Sequence, residues 1–231
     1  MMERLWVNDH ESLLRLEVTI DCMIVPTRDF KLSEWHVRHD IDCLHCTTSG
    51  ANRRTVWGEG RVGPDIFFVG EAPGQEEDES GRPFVGQAGQ LLRDVFQEID
   101  LCSERCYFAN VIKRRPPNNR EPLREEIAMC GPYLIEQILI VQPKVIVTLG
   151  STATKFLLDT ETKITRLRGV WTSWTHTKLI DLSSVPLLPT FHPSYILRKP
   201  EIQIRNQFVS DIKMAVNRSR KTSTLCNGSD F

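Results

Sequence analysis

The 231-residue chain predicts an α/β fold: a three-layer αβα sandwich around a central, mostly parallel four-stranded sheet. Three observations carry this. Short apolar runs alternate along the chain with stretches of helical periodicity, the pattern of βαβ crossovers. The runs are continuously apolar rather than alternating, as strands covered on both faces are. The composition, 40% hydrophobic and 26% charged, is that of a globular chain long enough to bury a core without disulfides.

The first predicted strand is Asp65–Val69 (DIFFV), closed by Gly70. An amphipathic helix follows over Gln87–Ile99, with Ala88, Leu91, Leu92, Val95, Phe96 and Ile99 three and four residues apart on one stripe. Tyr107–Ile112 (YFANVI) is the second strand. A helical stretch from Leu123 to Val141 contains Gly131-Pro132, which predicts a kink or a fresh helix start. Lys144–Leu149 (KVIVTL) is the third strand, and Ser151 then caps a helix reaching Leu158. Leu187–Phe191 is the fourth strand, and Asn206–Asn217 a closing helix.

Before this rhythm starts, residues 1–40 read as an N-terminal extension, with one amphipathic helix over Leu5–Leu16. Residues 41–218 form the predicted domain and 219–231 a disordered tail. The first residues are too charged for a secretory signal, and no apolar run approaches the ~20 residues of a membrane span. A cytoplasmic monomer without membrane contact is expected. The net charge of −1 conceals a split: after residue 110 the chain has 18 basic and 10 acidic side chains, and before it the balance is acidic. Near-neutrality therefore does not exclude a polyanionic partner.

In such a sheet, ligands bind beyond the carboxyl ends of the strands, so the loops that leave those ends are where chemistry is expected. The first, GEAPGQEEDESGRPFVGQAG, combines glycines with five carboxylates: Glu71, Glu76, Glu77, Asp78 and Glu79. A carboxylate near a scissile bond orients water or stabilises positive charge; the plain alternative is a solvated acidic turn. The loop matches neither a Walker A sequence nor GxGxxG, so no nucleotide cofactor is expected. The second loop sets Asn110 at a strand end, where an amide can read a base edge, ahead of Lys113, Arg114 and Arg115, which suit phosphates. The third is Gly150–Ala153. In the fourth, FHPSYILRK, His192 precedes an apolar triplet, Tyr195-Ile196-Leu197, flanked by Arg198 and Lys199. An apolar tip between cations is the composition of a wedge that enters a base stack; a buried loop anchor is the alternative.

Taken in order and spacing over about residues 43–216, GEAPGQEED…GRPFVGQAG, NVIKRRPPNNREP and FHPSYILR resemble the family-4, iron–sulfur type uracil-DNA glycosylases. The resemblance implies a three-layer αβα enzyme that hydrolyses the bond between uracil and deoxyribose, in single- or double-stranded DNA, during base-excision repair. It implies Glu77, Glu71 and His192 as catalytic residues, with His192 meeting the uracil O2. It places Gly70, Ala72, Phe84 and Asn110 around the base, Phe84 stacking on it and Asn110 reading its edge. Lys113, Arg115, Ser194, Tyr195, Ile196, Leu197 and Arg198 would contact DNA. Gly74 stands where other uracil glycosylases place an aromatic barrier to thymine, so thymine rejection arises elsewhere. Two rivals remain: a catalytically silent DNA-binding relative, attached to a replication complex through residues 1–40, and a glycosylase for another deaminated base.

The family also implies a [4Fe–4S] cluster on four cysteines. Cys43 and Cys46 supply a C-x2-C pair and Cys130 the last ligand, but Arg114 occupies the third position, and arginine cannot ligate iron. A cluster on three cysteines with another fourth ligand, substitution by Cys102 or Cys106, and loss of the cluster are the open alternatives. His36, His39, Cys43 and Cys46 also have spacings that suit zinc.

Overall fold

A computed structural model describes residues 32–36, 39, 54–175 and 184–226, with side chains to residue 221. Its centre is a six-stranded sheet: β1 (Glu59–Gly60), β2 (Ile66–Gly70), β3 (Cys106–Asn110), β4 (Val145–Leu149), β5 (Thr172–Trp174) and β6 (Val185–Thr190), in the order β1-β3-β2-β4-β6-β5. The inner four strands are the four expected from sequence, and they are mutually parallel. Both added edge strands are antiparallel. At two and three residues, with mostly exposed or half-buried side chains, the edges lack the apolar run that marks a buried strand.

Helices cover both faces: α1 (Gln75–Ser80), α2 (Gln87–Glu98), α3 (Arg124–Val141), α4 (Ser151–Leu158), α5 (Ile164–Leu167), α6 (Pro193–Arg198) and α7 (Ile202–Cys226). Successive residues of β2 alternate between two cores. Ile66 and Phe68 meet Leu92, Val95 and Phe96 of α2 and Phe208 and Ile212 of α7. Phe67 and Val69 meet Leu134, Ile138 and Val141 of α3 and Leu157 of α4. This is the αβα sandwich. Among the described residues no helix is long and apolar enough to cross a membrane.

Four details differ from the sequence reading. Helix α3 is assigned unbroken through Pro132. An interior proline costs about 3 kcal/mol, whereas burying Leu134, Ile138 and Val141 supplies about 1.5–3 kcal/mol each, so packing wins. Gly150, not Ser151, occupies the N-cap of α4. Helix α7 begins earlier and runs to Cys226, with its own Ser219 buried and donating to the Val216 carbonyl, which carries the packed body past residue 218. On the other side, Leu32 joins the α3 core, and Trp35 packs edge-on against Trp57 and Tyr133 while donating to Glu136 at 2.6 Å. Residues 32–36 thus belong to the domain rather than to the extension. The helix expected over residues 5–16 and the segments 40–53 and 227–231 lie outside the described residues.

Candidate active site

The parallel strands end together at one pole of the sheet, and their outgoing loops enclose a cleft of about 770 Å³. Glu71, Ala72, Glu77, Phe84, Asn110 and His192 all line it. The first, second and fourth carboxyl-end loops therefore bring the residues singled out in the sequence to one place, and the third adds Gly150 and Ser151.

Gly70, at the end of β2, is the tightest point of the floor. A Cβ there would lie 2.3 Å from Asn110 Oδ1 and 2.6 Å from Phe84 Cζ. The register pairs Gly70 with Asn110, so the missing side chain lets the amide and the phenyl ring converge above the sheet. Phe84 is buried with a left-handed φ of 54°, a conformation held by its surroundings because a bulky residue disfavours it.

Glu77 departs from the solvated acidic turn. It is 8% exposed, while Glu76 and Glu79 are exposed. Its Oε2 accepts the Gly74 amide at 3.0 Å and its Oε1 the Gly86 amide at 2.8 Å. Gly74 and Gly86 are the N-caps of α1 and α2, so one carboxylate joins two helix N-termini, where negative charge is favoured. Each oxygen keeps a second lone pair for a cationic or hydrogen-bonding ligand. A Cβ on Gly74 would lie 2.7 Å from Glu77 Oε2, so an aromatic barrier at that position would displace the carboxylate. Glu71, half-buried, accepts from Thr152 Oγ1 at 2.5 Å, which ties the first loop to α4.

His192 caps α6. Its Nδ1 accepts the Ser194 amide at 3.1 Å and lies 2.7 Å from Ser194 Oγ. A backbone N–H only donates, so Nδ1 carries no proton and the neutral ring bears its hydrogen on Nε2. Loss of hydration, then the charge of Arg198, pushes the imidazole pKa down to about 4. At neutral pH His192 is an uncharged donor lining the cleft. Behind it, Thr190 Oγ1 donates to buried Asp211 at 2.7 Å, Arg168 pairs with the same carboxylate, and the Arg168 guanidinium lies 5.6 Å from the Phe191 ring centre.

At the mouth, Arg198 is exposed, with Nη1 3.2 Å from Ser194 Oγ. Leu197 is 45% exposed, and Tyr195 is half-buried against Phe191 with the Lys199 ammonium 5.7 Å from its ring centre. Arg115 is half-buried, with Nε donating to Asn119 at 2.7 Å. Two expected DNA contacts are corrected. Ile196 is 4% exposed and belongs to the core, so it anchors α6 while Leu197 forms the exposed tip. Lys113 is fully buried, its ammonium donating to the Asn110 carbonyl at 2.7 Å and to Gln137 Oε1 at 2.6 Å, so it offers no phosphate contact. Ser194 serves His192 and Arg198 from a half-buried position.

The model of the uracil DNA glycosylase superfamily matches residues 57–213, most of the described body. The chain belongs to this superfamily. It is 43% identical over 180 residues to the type-4 uracil-DNA glycosylase of Thermotoga maritima, covering 78% of this chain and 90% of that relative. It is 40% identical over 185 residues to the type-4 uracil-DNA glycosylase of Archaeoglobus fulgidus, covering 77% and 88%. The type-4 uracil-DNA glycosylase of Sulfurisphaera tokodaii is 39% identical over 189 residues, covering 79% and 84%.

A superfamily member built on this sheet leaves the implied cluster to be tested by its donors. Cys43 and Cys46 lie outside the described residues; Cys130 is buried on α3, and Arg114 is buried in the second loop. The two substitute thiols are in the wrong place. Cys106 faces the opposite core from Cys130, and burial pushes its thiol up to about 12, while Cys102 is exposed at the far pole before β3. Among the described residues no group of three or more His, Cys, Asp or Glu side chains is arranged to hold a metal ion. Of the four expected ligand positions the described residues include two, Cys130 and Arg114, and an arginine cannot ligate iron.

Three supporting side chains leave no sign in the sequence. Thr152 sits in the third loop, Gly150–Ala153, which carries no motif of its own. Gln137 and Asp211 are polar residues on helices, and only packing distinguishes a buried one from a solvated one.

Proposed function

We propose that the cleft hydrolyses the N-glycosidic bond of uracil in DNA, with the chain acting as a monofunctional repair glycosylase. The single observation that supports this best is the placement of a held carboxylate, a base-edge amide and a neutral imidazole donor around one cleft: Glu77, Asn110 and His192. A base inside a duplex cannot reach such a site, so the nucleotide is extruded into it.

The roles follow from the charges that develop. As the bond from N1 to C1′ breaks, its electron pair stays on uracil and the sugar becomes oxocarbenium-like. Phe84 stacks on the base, and the Asn110 amide pairs with the uracil edge, whose donor and acceptor pattern cytosine reverses. The His192 Nε2–H donates to O2 as negative charge gathers there, which is oxyanion-hole logic with a neutral donor. Glu77 and Glu71 stabilise the cationic sugar and orient water. The water hydroxyl joins C1′, and its proton ends on the departing uracil. Leu197 enters the gap left in the stack while Arg198 and Arg115 meet phosphates. Every step uses side chains of this chain and none uses a cluster.

Incubation of the purified chain with an oligonucleotide containing one uracil tests the reading. Free uracil and an abasic strand are expected; DNA binding without release would favour the catalytically silent relative, and no uracil release but release of hypoxanthine or xanthine from parallel oligonucleotides containing those bases would favour the other deaminated bases.

A further inference from the structure

Lys113 stands one step behind the base-reading amide. Strand β3 ends at Asn110, and the chain curls over the next three residues so that Lys113 returns beneath that end. The side chain is fully buried, and its Nζ donates to the carbonyl oxygen of Asn110 at 2.7 Å. The same ammonium donates to Gln137 Oε1 at 2.6 Å, and Gln137, itself fully buried on α3, donates to the Trp57 carbonyl at 2.9 Å. A three-link brace thus runs from the segment before β1, through α3, to the backbone of Asn110. The front of that residue is equally confined, with its Oδ1 packed over Gly70.

Burying an ammonium is expensive unless strong hydrogen bonds accompany it. Charge-assisted bonds to a carbonyl and an amide oxygen are short and directional, and they hold the groups they join more stiffly than neutral bonds do. A surface lysine gripping phosphate would need none of this. The backbone carbonyl that takes this ammonium belongs to the residue whose side chain faces the base.

We infer that Lys113, seated on Gln137, is a positioning residue that fixes Asn110 for recognition of the base. This rests on the uracil reading of the cleft. Lys113 touches neither base nor sugar; it sets the height and rotation at which the Asn110 amide meets the uracil edge. Loosening it weakens capture of uracil and the rate of its release, while the grip on the rest of the DNA stays the same.

The experiment is a double-mutant cycle of Lys113→Met with Asn110→Ala, read by inhibition with free uracil, by single-turnover release and by affinity for abasic product DNA, per active site below the melting transition. Lys113→Met is expected to raise the uracil inhibition constant and lower the release rate about tenfold, the order of one hydrogen bond to a charged group. Abasic-DNA affinity stays unchanged. In the Asn110→Ala background the same change has no further effect on uracil inhibition, because its route has been removed. Additive losses, or an unchanged inhibition constant in the folded single variant, would overturn the inference. Should Lys113→Met not fold, Gln137→Met removes one acceptor and keeps the ammonium; it is expected to weaken uracil inhibition in the same sense, and no change would overturn the inference. An Asn110→Ala variant with wild-type uracil inhibition and release would instead defeat the assignment of the cleft itself.

Discussion

On the floor of the cleft, Glu77, Asn110 and His192 are each held by groups on a different element: two helix-cap amides, a buried ammonium on a brace from α3, and the Ser194 amide at the start of α6. At the mouth, Arg198 is exposed on one short helix beside its exposed neighbour Leu197, and Asn119, which lines the cleft, accepts from Arg115 of the same loop. The floor fixes geometry at the cost of burying polar groups, and the mouth keeps its charges hydrated and mobile enough to follow a backbone. Chemistry requires preorganised dipoles, whereas phosphate contacts act through charge and tolerate movement. The two regions should therefore fail in different ways when altered.

The largest expected effect is on the floor. Glu77→Gln keeps the size of the side chain but sets an amide N–H against one of two backbone N–H groups and removes the charge. Its single-turnover release rate is expected to fall about 10²–10³-fold, the range for a lost electrostatic stabiliser, with the DNA dissociation constant little changed. A thermal melt should also drop, because Glu77 joins the caps of α1 and α2. Equal losses in rate and binding would erase the distinction between floor and mouth.

The next effect sharpens it through pH. His192 acts as a neutral donor with a pKa pushed down to about 4, against ~6.5 for an ordinary histidine. Release should stay level as the pH falls from 8 to near 5 and then decline as the ring protonates near 4; an acid limb centred near 6.5 would contradict the site. The sign for stability follows from the same difference. The unfolded chain takes up the proton first, so the contribution of neutral His192 is complete above ~6.5 and is lost as the pH falls through that value toward about 4. Urea melts of wild type and His192→Gln over pH 4–8 check this: the variant should lack that part of the acid destabilisation.

A smaller change belongs to the mouth. Arg198→Ala is expected to weaken DNA binding a few-fold and lower the slope of log affinity against log salt by about one, leaving the saturated release rate at neutral pH near wild type. Because the Arg198 charge also lowers the His192 pKa, the acid limb of this variant should move upward. The smallest effect concerns iron. With Arg114 in one cysteine position and no cysteine among the described residues that line the cleft, chelation under reducing conditions should leave the release rate unchanged, and stoichiometric iron with a broad visible band would show that a cluster forms without the fourth thiolate.

The inner strands and the residues at their carboxyl ends were legible because continuous apolar runs mark covered strands and because unusual residues cluster just after them. The positions of Asn110 and His192 were readable in this way, whereas only the family resemblance set Glu77 apart from its acidic neighbours. Their depth was not readable. Lys113 and Arg115 are both basic residues of one loop, yet the first is fully buried and the second half-buried, a difference set by the curl after β3 and by the position of Gln137 across from it. Ile196 and Leu197 are adjacent apolar residues, and helix α6 turns one into the core and the other outward. The edge strands stayed hidden because they bury too little apolar surface to leave a pattern.

The central claim, that one cleft both recognises and cleaves, is tested most directly by single-turnover uracil release from a one-uracil oligonucleotide, comparing wild type with the folded double variant Asn110→Ala/His192→Gln. The account predicts free uracil and an abasic strand from wild type, with release by the variant falling toward the uncatalysed rate. Release at the wild-type rate by the double variant, or none by wild type, would contradict it.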